Sequence, residues 1–278
     1  GGGTTTSAFS NWLNITHPST VTASGVAYEG TYTYNTNTGN LTSVGAANAA
    51  SNPQIQLTYN SSGTLTAGTI STSSQTQSYD SFSAANSSGT LLFALKTSDA
   101  SDWALATEPT ASALNWKYQA FGVWTDPQSS GSGKYGSISV GSHTTGSSIP
   151  SSSSATFSGY GGGFYTDSSN NIFVTQASVS ATANFATRQV SLSSSSTVKQ
   201  QYSNGSFGTL GADSNLNLSG TLSYSANTNS LSGTLTTTSG MSGPSQTRFY
   251  GPNAEEIGGV FNLTGGSQTF VGAFGAKQ

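Results

Sequence analysis

Apolar and aromatic residues alternate with polar residues over short stretches along most of the chain. In "YEGTYTYNT", Tyr28, Tyr32 and Tyr34 share one parity, and Thr31 and Thr33 occupy the other. The stretch "NPQIQLTYN" repeats this alternation. Because successive side chains of a strand point to opposite sides of a sheet, a period of two predicts β-strands with one buried and one polar face.

Polar clusters such as Asn-Thr-Gly and Asn-Ser-Ser-Gly separate these stretches and predict hairpin turns. Two segments depart from the alternation, "SNWLNITHP" and "TLLFALKTSDASDWALA", and each is predicted to hold a helical turn. In "LNWKYQAFGVWTD", Trp116, Tyr118 and Phe121 cannot share one strand face without an irregularity. A glycine at position 122 therefore predicts a β-bulge.

The second half of the chain holds eight strand-like stretches joined by short polar turns. They are SATFSGYGGGFYTD, NIFVTQASVSATANFA, RQVSLSS, LNLSGTLSYSA, NSLSGTLTTT, TRFYG, IGGVFNL and QTFVGAFGA. Eight strands suit a small closed barrel whose interior is filled by side chains. The last strand would then pair with the first strand of the barrel and remove both sheet edges, with "RFYGPNAEEIGG" reversing the chain before the final hairpin.

The run of small residues ending in "SSIPSSSS" predicts a domain boundary near Pro150. We therefore expect a flexible tether over residues 1–7, an N-terminal β-rich domain over residues 8–150 and a C-terminal barrel over residues 151–278.

Composition strengthens the all-β prediction. Charged residues make up 6% of the chain, against about 25% in typical soluble domains, and Ser, Thr, Gly and Asn replace them. These residues disfavour helices. Disorder is the competing explanation, but 10% of the residues are aromatic and they spread along the chain, which favours a folded protein.

Charge and cysteine content exclude several classes of protein. The net charge is -3 with seven Lys or Arg in 278 residues, so no basic cluster can neutralise the phosphates of a nucleic acid. No apolar run approaches the length of a membrane span. The absence of cysteine excludes disulfides and thiolate metal sites.

No catalytic motif is present, and we expect a protein that is not an enzyme. There is neither a G-x-S-x-G elbow nor a phosphate-binding loop, and "GYGGGF" lacks the glycine spacing of a dinucleotide fingerprint. The pair Glu255 and Glu256 is predicted to lie in a solvated loop, because neighbouring residues on a strand would point to opposite faces.

Two histidines and one aromatic group are candidates for binding. His17 and His143 both precede the barrel in threonine-rich contexts, where exposed or hydrogen-bonded loop residues are the ordinary interpretation. The aromatic group has two interpretations: a core of the N-terminal domain, or an exposed rim that stacks on a flat ligand or anchors a partner. Its members are Trp103, Trp116, Tyr118, Phe121 and Trp124.

The end of the chain, "FYGPNAEEIGGVFNLTGGSQTFVGAFGAKQ", carries a recognisable pattern. A Phe-Tyr-Gly-Pro, an acidic pair, a Gly-Gly-x-Phe and a final Phe-x-Gly-x-Phe-Gly-Ala-Lys follow one another between Phe249 and Lys277. This segment resembles the C-terminal barrel of the transferrin-binding protein B family of bacterial surface lipoproteins. The upstream stretches "YQAFGVWTD" and "SIPSSSSATFSGYGGGF" are similar to that family as well. The resemblance implies one lobe, with an N-terminal β-rich handle domain followed by an eight-stranded antiparallel β-barrel.

Relatives of this kind include factor H binding proteins and the secreted haemophores called haemophilins, which hold haem in or near the handle domain through histidine. The resemblance therefore implies haem as a cofactor, with His143 or His17 as an axial ligand. His143 is the first choice because it follows "YQAFGVWTD". The five aromatic residues named above are the candidates for a haem pocket or a partner contact. Cations that could meet haem propionates are scarce in the first domain: Lys96, Lys117 and Lys134.

The function that these expectations imply is a bacterial haemophore, extracellular or anchored at the cell surface, that captures haem for iron uptake. Its partners would be haem or a haem-carrying host protein, together with an outer-membrane receptor or secretion partner. The alternative is a surface lipoprotein that binds a host protein, such as transferrin or a complement regulator, without haem. A structural or adhesive surface protein is a third possibility that the low charge suits.

Overall fold

The computed structural model of the protein describes residues 10–127, 130–203 and 206–278. The tether predicted for residues 1–7 lies outside the described residues. Strands dominate the described part of the chain, which confirms the all-β prediction. Short 3₁₀ turns occur there as well: η1 (Trp12–Asn14), η2 (Gly146–Ser148) and η3 (Ser214–Leu216).

The first sheet contains eleven strands. They are β1 (Ser19–Tyr34), β2 (Leu41–Val44), β3 (Asn48–Ala49), β4 (Gln54–Tyr59), β5 (Leu65–Thr72), β6 (Gln75–Tyr79), β7 (Ser81–Ala84), β8 (Leu92–Lys96), β9 (Asp99–Ala106), β10 (Gln119–Pro127) and β11 (Ser132–Gly141). Their order is β6-β5-β4-β1-β11-β10-β9-β8-β7, with β2 and β3 paired to β1.

The long strand β1 belongs to two layers of this sheet. Its residues 19–24 pair with β4, and its residues 25–33 pair with β11. The sheet therefore curls so that β4 to β6 cover one face of β8 to β11. Val21, Ile55 and Trp124 lie in the apolar core between these two layers.

The predicted alternation in β1 is confirmed. Tyr28 and Tyr32 are buried and Tyr34 is half-buried, all on the face that looks away from the β4 to β6 layer. The helical turn predicted in "SNWLNITHP" is present as η1, whose N-cap Asn11 accepts a hydrogen bond from the backbone nitrogen of Leu13.

The helical turn predicted in "TLLFALKTSDASDWALA" is wrong, because this segment forms the hairpin of β8 and β9. The carboxylate of Asp80 holds the hairpin turn by accepting hydrogen bonds from the backbone nitrogen (2.8 Å) and the hydroxyl (2.7 Å) of Thr97. Both faces of β9 are covered, with Ala104 in one core and Trp103 and Leu105 in the other, and this two-sided burial hides the period of two.

The bulge predicted at Gly122 is also wrong. The register of β10 with β11 runs without interruption from Gln119 to Pro127. Trp116 and Tyr118 precede the strand, so they need not share a face with Phe121. Within β10, Phe121 and Trp124 have opposite parity and point into different cores.

The second sheet is the barrel. Its strands are β12 (Ser154–Thr166), β13 (Ile172–Asn184), β14 (Gln189–Ser203), β15 (Ser206–Phe207), β16 (Gly211–Ala212), β17 (Leu218–Ser223), β18 (Leu231–Thr237), β19 (Ser242–Tyr250), β20 (Glu256–Gly265) and β21 (Gln268–Lys277). Eight of them close a ring in the order β12-β13-β14-β17-β18-β19-β20-β21, and β15 and β16 are short additions to β14. The eight predicted stretches correspond to these eight strands, and the pairing of β21 with β12 confirms the predicted closure.

Side chains fill the barrel. Phe157, Leu222, Phe249 and Phe274 are at most 1% exposed and belong to one continuous core. Packed interiors of this kind are typical of eight-stranded barrels.

The outer face of part of the barrel packs against the first sheet. Val260 and Val271, on β20 and β21, contact a core that includes Leu105 and Phe121 of the handle. Glycines on the barrel strands allow this close approach: a Cβ atom at Gly275 would lie 2.6 Å from the ring of Trp116. Three layers therefore stack on one another, and the junction between the handle and the barrel is a packed interface.

Candidate functional site

Four of the five aromatic candidates lie in the protein interior. Trp103, Trp116, Phe121 and Trp124 are at most 1% exposed. Trp124 packs between the two layers of the first sheet, and the other three pack between the first sheet and the barrel. Their position corresponds to the core interpretation rather than to an exposed rim. Tyr118 is half-buried and keeps part of its ring accessible.

The two histidines are at different ends of the pairing between β1 and β4. His17 is exposed, with its ring 5.6 Å from the ring of Tyr59. His143 follows β11 and is hydrogen-bonded to the backbone of Ser24. The five steps of strand from Ser19 to Ser24 span about 16 Å at ~3.3 Å per residue. The structure therefore does not bring the two imidazoles to opposite faces of one haem.

His143 lies where the handle meets the barrel. It forms an isolated antiparallel bridge with Tyr250, and the two ring centroids are 5.3 Å apart. The residue remains exposed, but the contact with Tyr250 removes water from one side of the ring. This desolvation and the positive charge of Arg248 lower the pKa of His143. The hydrogen bond to the backbone of Ser24 acts in the opposite direction and does not cancel the shift. Its imidazole is therefore neutral at pH 7 and able to bind a metal centre.

Glu256, the first residue of β20, is the buried carboxylate of this junction. It is 3% exposed, and its two oxygens accept hydrogen bonds from the backbone nitrogens of Lys117 (2.8 Å) and Tyr118 (3.2 Å). Burial raises the pKa of Glu256 to about 7, while the two N–H groups and Lys277 act in the opposite direction. A carboxyl group at the junction therefore titrates near neutral pH.

A cleft of about 330 Å³ opens beside Glu256. It is lined by Asn115, Lys117, Tyr118, Glu255, Glu256, Lys277 and Gln278, which we call the junction cleft. The whole chain has seven Lys or Arg and ten Asp or Glu, and four of these charged residues line this one cleft. Polar and charged groups of both lobes are thus concentrated in one place on a nearly uncharged protein.

Sequence reasoning missed the role of Glu256. The prediction that Glu255 and Glu256 both lie in a solvated loop is wrong for Glu256, because the turn ends one residue earlier and β20 begins with this carboxylate. The local sequence gives no signal for its burial, since the two N–H groups that it binds come from the segment before β10.

Metal-ligand groups, membrane-spanning helices and internal cavities bear on the other candidate functions. In the described part of the chain, no three His, Cys, Asp or Glu residues group together so that they could hold a metal ion. Over the same residues, no helix combines the length and the apolar character needed to cross a bilayer. Two apolar cavities, one in the barrel and one between the layers of the first sheet, have volumes of about 20 and 30 Å³. Each is close to the size of one water molecule.

Residues 149–278 match the family model that describes the C-lobe and N-lobe β-barrels of transferrin-binding protein B. This part of the chain is therefore similar to the barrels of transferrin-binding protein B. The match confirms the resemblance that the closing motif predicts, and it covers every strand from β12 to β21. The matched segment includes Glu256, Tyr250 and the turn between them. No curated protein sequence matches the chain.

Solved structures similar to the chain include two transferrin-binding proteins B. A mutant of the Haemophilus parasuis protein is 13% identical over 91% of this chain and 76% of its own, with a TM-score of 0.43. The isotype 1 protein of Neisseria meningitidis is also 13% identical, over 82% of this chain and 52% of its own, with a TM-score of 0.40. A structure described as a surface lipoprotein is 11% identical over 90% of this chain and 98% of its own, with a TM-score of 0.43. At these values none of the three assigns a ligand to this chain.

Proposed function

We propose that this protein is a bacterial binding protein exposed at the cell surface, and that it binds a host protein through a surface that includes the junction cleft. One observation carries the proposal: four of the few charged residues, together with the accessible ring of Tyr118, gather in one open cleft formed by both lobes. Tyrosine and accessible charges at a rim are typical of surfaces that recognise proteins.

A macromolecular ligand also agrees with the way in which the two lobes are packed. The aromatic side chains are used for the cores, and the apolar cavities described above are too small for an organic ligand. A ligand of this chain would therefore contact its surface. Protein-sized contact areas of about 800 Å² per partner extend well beyond one cleft, so neighbouring neutral Ser, Thr and Asn side chains would contribute hydrogen bonds.

The first ligand to test is transferrin, because the matched barrel family is named for its binding. The test is surface immobilisation of the protein followed by titration with host transferrin. Tyr118→Ala and Lys117→Glu should each weaken binding at least tenfold if the junction cleft is the contact surface. Arg188→Glu, a charge reversal in the turn after β13, is the matched control and should bind like the unmodified protein.

Two results would contradict this proposal. If Tyr118→Ala and Lys117→Glu bind as tightly as the unmodified protein, the junction cleft is not the contact surface. If no host serum protein binds the unmodified chain, with the transferrins of several mammals among those tested, the host-protein function itself is wrong.

Haem is a second candidate ligand, and one specific observation favours it. His143 is exposed, and its lowered pKa keeps the imidazole in the neutral form that binds iron. The residue also lies at the junction between the lobes. We propose His143 as a single axial ligand of a surface-bound haem, whereas His17 is too distant to bind the same iron.

A haemin titration followed by visible absorbance tests this second candidate. The unmodified protein should give a Soret band that His143→Ala removes and His17→Ala preserves, and binding should weaken as pH falls and His143 becomes protonated. A Soret band unchanged in the double variant would eliminate histidine ligation. If the unmodified protein gives no haem-dependent spectrum, haem binding is wrong and the host-protein function is the one proposal that stands.

A further inference from the structure

The charges that line the junction cleft are not equally available to a ligand. Two lysines and two glutamates line it: Lys117, Lys277, Glu255 and Glu256. Counted as formal charges, they would cancel. Their hydrogen bonds within the protein decide which sign a ligand meets.

Groups of the protein itself already bind both carboxylates of the cleft. The two oxygens of Glu256 accept hydrogen bonds from the backbone nitrogens of Lys117 and Tyr118, and the residue is buried. Glu255 is half-buried, and its oxygens accept from the backbone nitrogen (2.8 Å) and the side-chain amide (3.2 Å) of Asn253. A cationic ligand would have to compete with these N–H donors.

The two ammonium groups are less occupied. Lys117 is exposed, and none of the ion pairs among the described residues involves its Nζ atom. Lys277 Nζ donates one hydrogen bond, 3.3 Å long, to the backbone oxygen of Asn115, and an ammonium group has three N–H donors. The charge that the cleft offers to a ligand is therefore positive, although the net charge of the whole chain is -3.

Glu256 connects the charge of the cleft to pH. Burial raises the pKa of this carboxyl group to about 7. An anion bound in the cleft would repel the negative charge of Glu256 and raise this pKa further. The side-chain amide of Gln119, which is 0% exposed, acts on the same carboxyl group, and its oxygen Oε1 is buried without a hydrogen-bond partner. A proton on Glu256 would add an O–H donor beside this amide.

The charged and titratable groups around Glu256 come from four segments. They are Lys277 on β21, Tyr250 on β19, Lys117 and Tyr118 before β10, and Glu255 in the turn before β20. Burial raises the pKa of both tyrosines, so they stay neutral below pH 8. The pKa of His143, which packs on Tyr250, is lowered, so this imidazole changes its charge at a lower pH than Glu256 does.

We propose that the junction cleft binds an acidic segment of the partner protein through Lys117 and Lys277, and that Glu256 takes up a proton from the solvent as this segment binds. The inference rests on the proposed host-protein function and adds the chemistry of the partner's contact surface. Because the bound state holds more proton than the free state, binding becomes tighter as pH falls.

The experiment is calorimetric titration of the intact protein with hexa-aspartate, acetylated and amidated at its ends. A Gly-Ser peptide of the same length is the neutral control. Aspartate side chains titrate near pH 4, so the peptide keeps its charge from about pH 6 to about pH 8. Low ionic strength is used because salt screens exposed charges.

The acidic peptide should bind roughly three- to tenfold more tightly at about pH 6 than at about pH 8, as expected when a like charge raises a pKa near 7. The neutral peptide should give no heat of binding. Titrations at about pH 7 in two buffers with different heats of ionisation measure the proton directly, and they should show uptake of a fraction of a proton per peptide bound.

Three variants assign the effect to this cleft. Lys117→Gln should weaken binding of the acidic peptide at least threefold at each pH. Glu256→Gln should bind at about pH 8 as tightly as the unmodified protein does at about pH 6, and it should take up no proton. Lys134→Gln is the matched control, because Lys134 lines a different cleft of about 330 Å³ beside Glu29, and it should bind like the unmodified protein.

Two outcomes would overturn the inference. One is a heat of binding for hexa-aspartate no larger than that for the neutral peptide. The other is an unchanged pH dependence in Glu256→Gln. This inference and the host-protein function fail separately. A host protein that binds with the same affinity at both pH values and to Lys117→Gln would overturn the inference alone, whereas acidic-peptide binding without any host-protein ligand would contradict the host-protein function alone.

Discussion

Glu256 Oε1 lies 2.8 Å from the backbone nitrogen of Lys117, although 139 positions separate the two residues. This hydrogen bond, with the one from Tyr118, ties the barrel to the segment that leads into β10. The carboxylate is therefore a direct link between the lobes, and its protonation near neutral pH makes that link sensitive to pH.

The first prediction concerns this pH dependence. The pKa of Glu256 is raised from 4.5 to about 7 by burial, so the folded state takes up a proton more readily than the unfolded state. The associated stability is fully present below pH 4.5 and is lost as pH rises through about 7, by up to roughly 3 kcal/mol. Glu256→Gln should flatten this part of the pH profile.

Urea unfolding at about pH 5 and about pH 8, at constant ionic strength, measures the effect. The comparison of interest is the change in unfolding free energy between the two pH values, in the unmodified protein and in Glu256→Gln. Glu255→Gln, one residue earlier in the chain, serves as the control, and its unfolding free energy should change with pH as it does in the unmodified protein. The same change with pH in all three proteins would show that Glu256 does not titrate in this range.

The second prediction concerns the glycine that lets the lobes approach. A Cβ atom at Gly275 would lie 2.6 Å from both the Trp116 ring and Oε1 of Gln119, so Gly275→Ala should cost about 1–3 kcal/mol. Gly211→Ala is the matched control, because no atom lies within 4 Å of its added Cβ. Urea midpoints that are the same for the two variants would mean that the junction can relax around the extra methyl group.

The third prediction concerns the barrel interior. Phe274 is 1% exposed and belongs to the barrel core, so Phe274→Ala should lower the free energy of unfolding by about 3–5 kcal/mol. Phe207 is half-buried at the edge of the barrel, stacked on Phe93 at 4.5 Å, and Phe207→Ala should cost less. Denaturant unfolding ranks the two variants, and the reverse order would contradict the core assignment.

The fourth prediction concerns Asn229, which joins the connection between the lobes to β19. Its amide nitrogen donates to the backbone oxygens of Thr144 (2.8 Å) and Phe249 (2.7 Å), and its oxygen accepts from the backbone nitrogen of Phe249 (2.8 Å). Asn229→Ala should destabilise the protein by about 1–3 kcal/mol, because it removes three hydrogen bonds. Asn227 is not suitable as a control because its φ is positive. Asn253→Ala is the control instead, and it should lower the stability of the protein by less than Asn229→Ala does. Thermal unfolding compares the two, and an equal loss would assign no special role to Asn229.

The sequence by itself determined the strands and the closed barrel. A period of two reflects the geometry of neighbouring residues on one strand, so Tyr28 and Tyr32 could be assigned to a buried face without knowing what covers them. The same local rule failed for Trp103, because β9 is buried on both faces and carries no clear alternation. The closing motif identified the barrel type because it lies within the last three consecutive strands, β19 to β21.

Only the tertiary structure decided the environment of the candidate site residues. Trp116 is a core residue because the barrel covers it, and the local sequence contains no information about that cover. Glu256 is buried because distant backbone N–H groups bind it. The physical reason is common to these residues: burial and pKa depend on atoms that the fold brings together from separate parts of the chain, whereas strand formation depends on near neighbours.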